Sequence, residues 1–126
     1  MIESHNTIID THPHFGQHDA WDCPLAQLIA LMDSQHTDKA VTGMLECNET
    51  TAAGFEKALR FTRAYEERLR LMLWIHPAVS GDASMAEKML YRYKSQIACM
   101  KVHPQTARVP LDDQHYEPYL QLCQTY

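Results

Sequence analysis

His12 and His14 stand two residues apart in Thr11-His12-Pro13-His14, directly behind the β-branched run Thr7-Ile8-Ile9. In an extended chain, residues i and i+2 project from the same face, so the two imidazoles can converge on one ion. Neutral imidazole is the commonest protein ligand for transition metals. Such a pair serves a divalent cation, zinc by donor type, which lowers the pKa of water and polarises a carbonyl. A catalytic zinc site takes three protein ligands and keeps one open position, so two histidines need a third donor.

His103 is the candidate third metal ligand; it also suits a polar substrate contact, or no more than the histidine of a His-Pro turn. Lys101 shares its parity, so if one of the two reaches a functional face the other does. Lys101 could ligate metal after carboxylation, position a substrate anion, or lie at the surface on a snorkelling stem. His76-Pro77 repeats the His-Pro pattern and serves in the same ways. Glu46 is a candidate general base or hydrogen-bond acceptor, with Glu49 close behind, although both also suit the charge preference of a helix start. Asp10 has the parity of His12 and His14 and lies one step deeper. It could orient a ligand histidine or satisfy nearby backbone groups.

These residues need a scaffold, and the chain alternates short apolar runs with amphipathic stretches. Thr7–Thr11 reads as a strand leading into a His12–Gly16 loop. A helix follows, with Asp22 as cap, Pro24 in its first turn, and Leu25, Leu28, Ile29 and Met32 at helical spacing. The second run, Ala40–Leu45, ends at Glu46. Behind it Thr50 or Thr51 caps a helix with the stripe Phe55, Ala58, Leu59, Thr62 and Tyr65. The third run, Leu71–Ile75, ends at His76 and precedes a helix over 84–93, where Ser84 and Glu87 form a capping-box pattern. The fourth, Ile97–Val102, ends at His103, and a last helix begins near Glu117 or Pro118. Four strand-helix units in series predict an α/β fold with a parallel sheet. In such sheets chemistry gathers at the carboxyl ends of the strands, where His12, His14, Glu46, His76, Lys101 and His103 all fall.

Composition narrows the function classes. In 126 residues, 45% are hydrophobic and 21% charged, as in globular chains. A formal net charge of −5 and the absence of a Lys/Arg run argue against nucleic acid. No apolar stretch approaches the roughly 18 to 20 residues of a membrane span, and the start lacks the basic-then-apolar order of a secretory signal, so a cytoplasmic protein is expected. Cys23, Cys47, Cys99 and Cys123 are widely spread and predict free buried thiols. His5, His36 and His115 lie away from strand ends and are read as surface residues. With four glycines and no G-x-G-x-x-G, P-loop or G-x-S-x-G pattern, the chain lacks the turns of dinucleotide, ATP and serine-hydrolase sites.

Ile8-Ile9-Asp10-Thr11-His12-Pro13-His14-Phe15-Gly16 resembles the first-strand signature of the metal-dependent amidohydrolase superfamily, in its amidohydrolase-related TIM-barrel branch. Ala98-Cys99-Met100-Lys101-Val102-His103-Pro104 resembles that branch's fourth-strand end, and Asp112-Asp113 with Tyr116 and Pro118 is similar to what comes next. The resemblance implies an eight-stranded barrel holding one or two divalent metals, usually zinc, with His12 and His14 as ligands. Lys101 is matched to a lysine that is carboxylated in some relatives. Further ligand histidines on later strands, and an aspartate on the eighth, have no counterpart here.

A (β/α)8 barrel takes about 250 residues. Residues 1–126 therefore read as a single partial domain, the N-terminal half of such a barrel, expected to pair with a second copy or a complementary C-terminal half. The expected activity is metal-dependent hydrolysis of a small-molecule amide, ester or lactone, or the related decarboxylation of an unsaturated acid. The alternatives are a catalytically inactive half-barrel that assembles or binds metal, and a small open α/β ligand-binding domain.

Overall fold

The computed structural model describes residues 6–45 and 50–126. Its strands are β1 (Ile9–Asp10), β2 (His14–His18), β3 (Trp21–Cys23), β4 (Lys39–Met44), β5 (Leu69–Trp74) and β6 (Ile97–Lys101). Its helices are α1 (Leu25–Ser34), α2 (Thr51–Thr62), α3 (Asp82–Tyr93), α4 (Pro104–Ala107) and α5 (Glu117–Thr125), with 3-10 turns at Arg63–Tyr65 and Gln114–Tyr116. The strands form one sheet in the order β3-β2-β4-β5-β6, with β1 also on β4. All pairings are parallel except β2 with β3. The fold is thus α/β with a mostly parallel sheet that stays open rather than closing into a barrel.

Strand parity explains the layering. Ala40, Met44, Leu69, Leu71, Leu73 and Phe15 point to one side, where Leu28, Met32, Phe55, Ala58, Ala86, Met89 and Tyr119 complete a single core. Leu71 and Leu73 are within 2% of full burial, as a strand under crossover helices requires. The opposite face carries Val41, Gly43, Met72, Trp74, Cys99 and Lys101 by register, and Cys99 is exposed there. The helices α1, α2 and α3 are the expected crossovers. Thr50 caps α2, its Oγ1 accepting the Ala53 amide at 3.1 Å. No helix among the described residues is long and apolar enough to cross a membrane.

Several expectations are corrected. The segment after β1 is a hairpin, not a loop: β2 and β3 pair antiparallel across Asp19, which takes a left-handed φ of 50°. Asp22 consequently lies in β3, and Pro24 occupies the cap of α1. Helix α3 starts at Asp82 behind Gly81, at φ 80°, and not at Ser84. The reason is Asp82 itself, a buried carboxylate at 4% exposure that accepts Thr51 Oγ1 at 2.6 Å, Tyr119 OH at 2.7 Å and the His76 amide at 2.9 Å. It ties α2, the turn after β5, α3 and α5 together. Burial, followed by the bond to Asp82, raises the Tyr119 phenol well above its ordinary range, so it stays a donor. Finally, of the thiols expected to be buried only Cys23 is; Cys99 and Cys123 are free but exposed, and Cys47 lies outside the described residues.

Candidate functional site

The carboxyl ends of β5 and β6 and the segment leading into β2 bring four aromatic rings and one amine together. Trp74 and Lys101 are register partners on neighbouring strands, so their side chains share the open face. His14 and Gly43 are partners on β2 and β4. A Cβ at Gly43 would sit 3.6 Å from His14 Nδ1, an ordinary contact distance, so the imidazole lies directly over the glycine on that face. The preceding residues are pinned by Thr42, fully buried, whose hydroxyl donates to the Pro13 carbonyl at 2.9 Å. The rings of His12 and His14 meet edge to face at 4.9 Å between centroids, and His14 lies 6.5 Å from Trp74. His103 stacks on Trp74 at 5.7 Å with planes 11° apart.

Hydrogen bonds fix which ring nitrogens are free. His14 Nδ1 lies 3.1 Å from the Gly43 carbonyl, which only accepts, so Nδ1 carries the proton and Nε2 keeps its lone pair. This is how metal-ligating histidines are normally oriented. His12 Nε2 is 2.7 Å from Lys101 Nζ; the ammonium donates, and the His12 proton sits on Nδ1. His103 Nδ1 accepts the Thr106 amide at 3.3 Å and lies 3.0 Å from the Thr106 hydroxyl. A neutral His103 therefore presents an N–H at Nε2, a donor to substrate rather than a lone pair to metal.

The remaining candidates are placed differently. Asp10 pairs with Ala40 and His14 with Gly43, so a four-residue step on one side runs beside a three-residue step on β4. That extra residue breaks the expected parity and turns Asp10 to the opposite face from His14. The Asp10 carboxylate accepts the backbone amide of His12 at 3.1 Å, the second of the roles expected for it. His76 is anchored through its amide to Asp82; its Nε2 is buried and has no partner among the described residues. No ring contact or hydrogen bond joins it to the cluster among those residues. Glu46 and Glu49 lie outside the described residues. His36 and His115 are exposed, as expected, and His5 also lies outside. Trp74 was not among the sequence candidates, although its place at the end of the third run, in register with Lys101, carries the signal.

Electrostatics favour the neutral form of His14. Partial burial lowers the His14 pKa from its ordinary 6.5; the Gly43 carbonyl opposes this, and the charges of His12, Lys101 and His103 reinforce it. Because the folded value is depressed, the stability linked to His14 is present above about pH 6.5 and is lost as the pH falls through the folded value. The urea midpoint is therefore expected to drop between pH 7.5 and pH 5, and to drop less in His14→Gln.

Among the described residues no group of three or more His, Cys, Asp or Glu side chains is placed to hold a metal ion. The two imidazoles of His12 and His14, with Lys101 at the end of β6, are what the fold assembles. No family model, no curated protein and no solved structure matches this chain.

Proposed function

We propose that this chain carries the histidine arm of a metal-dependent hydrolase of the amidohydrolase type, acting on a small-molecule amide, ester or lactone in the cytosol. The observation that supports the reading is the His14 imidazole, fixed through Nδ1 on the Gly43 carbonyl with Nε2 free, 4.9 Å between centroids from His12. A divalent cation, zinc by donor type, would be held by the Nε2 atoms of these two residues, where it supplies Lewis acidity and lowers the pKa of water. The protein's own groups have distinct tasks. Trp74 offers a flat apolar shelf, His103 donates from Nε2, and Lys101 attracts a carboxylate or developing oxyanion. That cationic setting also suits the decarboxylation of an unsaturated acid.

Two imidazoles leave the donor set one short, and the open β6 edge is where a further strand would add. We therefore read the sheet as the N-terminal half of a (β/α)8 barrel, completed by a second copy or by a complementary C-terminal half that supplies the missing ligands. The second reading, a half-barrel that binds metal or assembles without catalysis, is favoured by the same incomplete donor set. Zinc retention after gel filtration, measured by elemental analysis beside hydrolysis of an ester, lactone and amide panel, separates them. Retained zinc with turnover supports the hydrolase, retained zinc alone supports a metal-binding module, and no retained zinc defeats the hydrolase and leaves the half-barrel that only assembles.

A further inference from the structure

The bond between Lys101 and His12 is out of place in a metal arm. Nζ lies 2.7 Å from Nε2, so the lone pair that would bind a cation already holds one. Lys101 makes no ion pair with a carboxylate among the described residues, and imidazoles are its neighbours. Its strand, β6, is the last in the sheet, and Ala98 and Cys99 beside it are exposed. The four-carbon stem can thus swing the ammonium outward without disturbing the core.

We propose that Lys101 is an internal cation that occupies His12 in the metal-free protein and must be displaced before the His12–His14 pair takes a metal ion. This inference rests on the metal reading of the site. A dication and an ammonium cannot share one lone pair, and at contact distance they repel. Until it is displaced, the ammonium satisfies the His12 lone pair. It also sets a threshold that ions with strong imidazole affinity, such as zinc, cross and magnesium does not. Once displaced, the ammonium stays on the same face, within reach of an anionic substrate group.

The test compares zinc affinity by chelator competition at pH 7.5 for the wild type, Lys101→Met and Lys101→Arg, with thermal melts to confirm folding. Lys101→Met is expected to bind zinc about tenfold tighter or more, because a charge-assisted hydrogen bond no longer competes. Lys101→Arg keeps the charge and binds no tighter than wild type. Equal or weaker binding by Lys101→Met overturns the proposal, and weaker binding identifies Lys101 as a ligand instead. Zinc binding by neither wild type nor Lys101→Met overturns the metal reading itself. Nitrogen-15 spectra of the metal-free protein give a second readout: the His12 Nε2 resonance shifts in Lys101→Met if the bond is present, and its constancy overturns the proposal.

Discussion

Asp82→Ala is expected to lower the melting temperature by roughly 10–20 °C, the largest stability loss of any single substitution outside the apolar core. The carboxylate is 4% exposed and accepts two hydroxyls and one backbone amide. Alanine strands all three donors in the interior at about 1–3 kcal/mol each before relaxation, for a net cost of about 3–5 kcal/mol. A domain of this size has only about 5–15 kcal/mol to lose. A graded series isolates the cause. Tyr119→Phe removes one bond and is expected to cost about 1–2 kcal/mol. Asp82→Asn falls between, because its single oxygen keeps Tyr119 and His76 while the Thr51 hydroxyl must turn to accept from the amide. Denaturant unfolding of the four proteins checks the order. Equal midpoints for Asp82→Ala and Tyr119→Phe would show that the carboxylate is not the centre of the network.

The crossover helices and the strands they connect were readable because local signals agree with tertiary demand. Thr50 followed by the Phe55, Ala58 and Thr62 stripe is such a case, since the residues that cap and the residues that bury are separate and both are satisfied in place. The hairpin was hidden. His14-Phe15-Gly16-Gln17-His18 has neither β-branched residues nor simple alternation, and it is held as strand by pairing with β4 and β3. Asp82 was hidden for a related reason. Its partners Thr51 and Tyr119 lie 31 and 37 residues away, so a nearer serine looked like the cap.

Within the cluster, spacing put His12 and His14 side by side, as their rings are, but could not assign their atoms. Parity tied Lys101 to the face of His103, and both do lie at the cluster, Lys101 against His12 and His103 against Trp74. The same rule misplaced Asp10, because one extra residue between β1 and β2 inverts alternation, and nothing in Asp10-Thr11-His12-Pro13-His14 marks where the register slips. His103 sits near the arm, yet Thr106 commits its Nδ1, a local bond that only the α4 turn reveals.

His12→Ala and His14→Ala are each expected to weaken zinc binding on the order of 100-fold or more, with hydrolysis falling in step and the fold retained. Neither imidazole lies in the apolar core, so each substitution should leave the melting temperature within a few degrees of wild type. A two-donor arm gains its affinity from both ends at once, so losing either leaves a single imidazole. The double variant should therefore bind little worse than either single, as groups that act as a unit do. His103→Ala supplies the contrast. Its Nδ1 is held by Thr106 and its Nε2 carries a proton, so zinc affinity stays while KM rises as the stacked donor beside Trp74 is lost. His36→Ala and His115→Ala alter exposed rings away from the cluster and change neither quantity. Chelator competition on the six variants reads the pattern. Zinc affinity that survives in the His12/His14 double variant would place the metal elsewhere and remove the basis of the hydrolase reading.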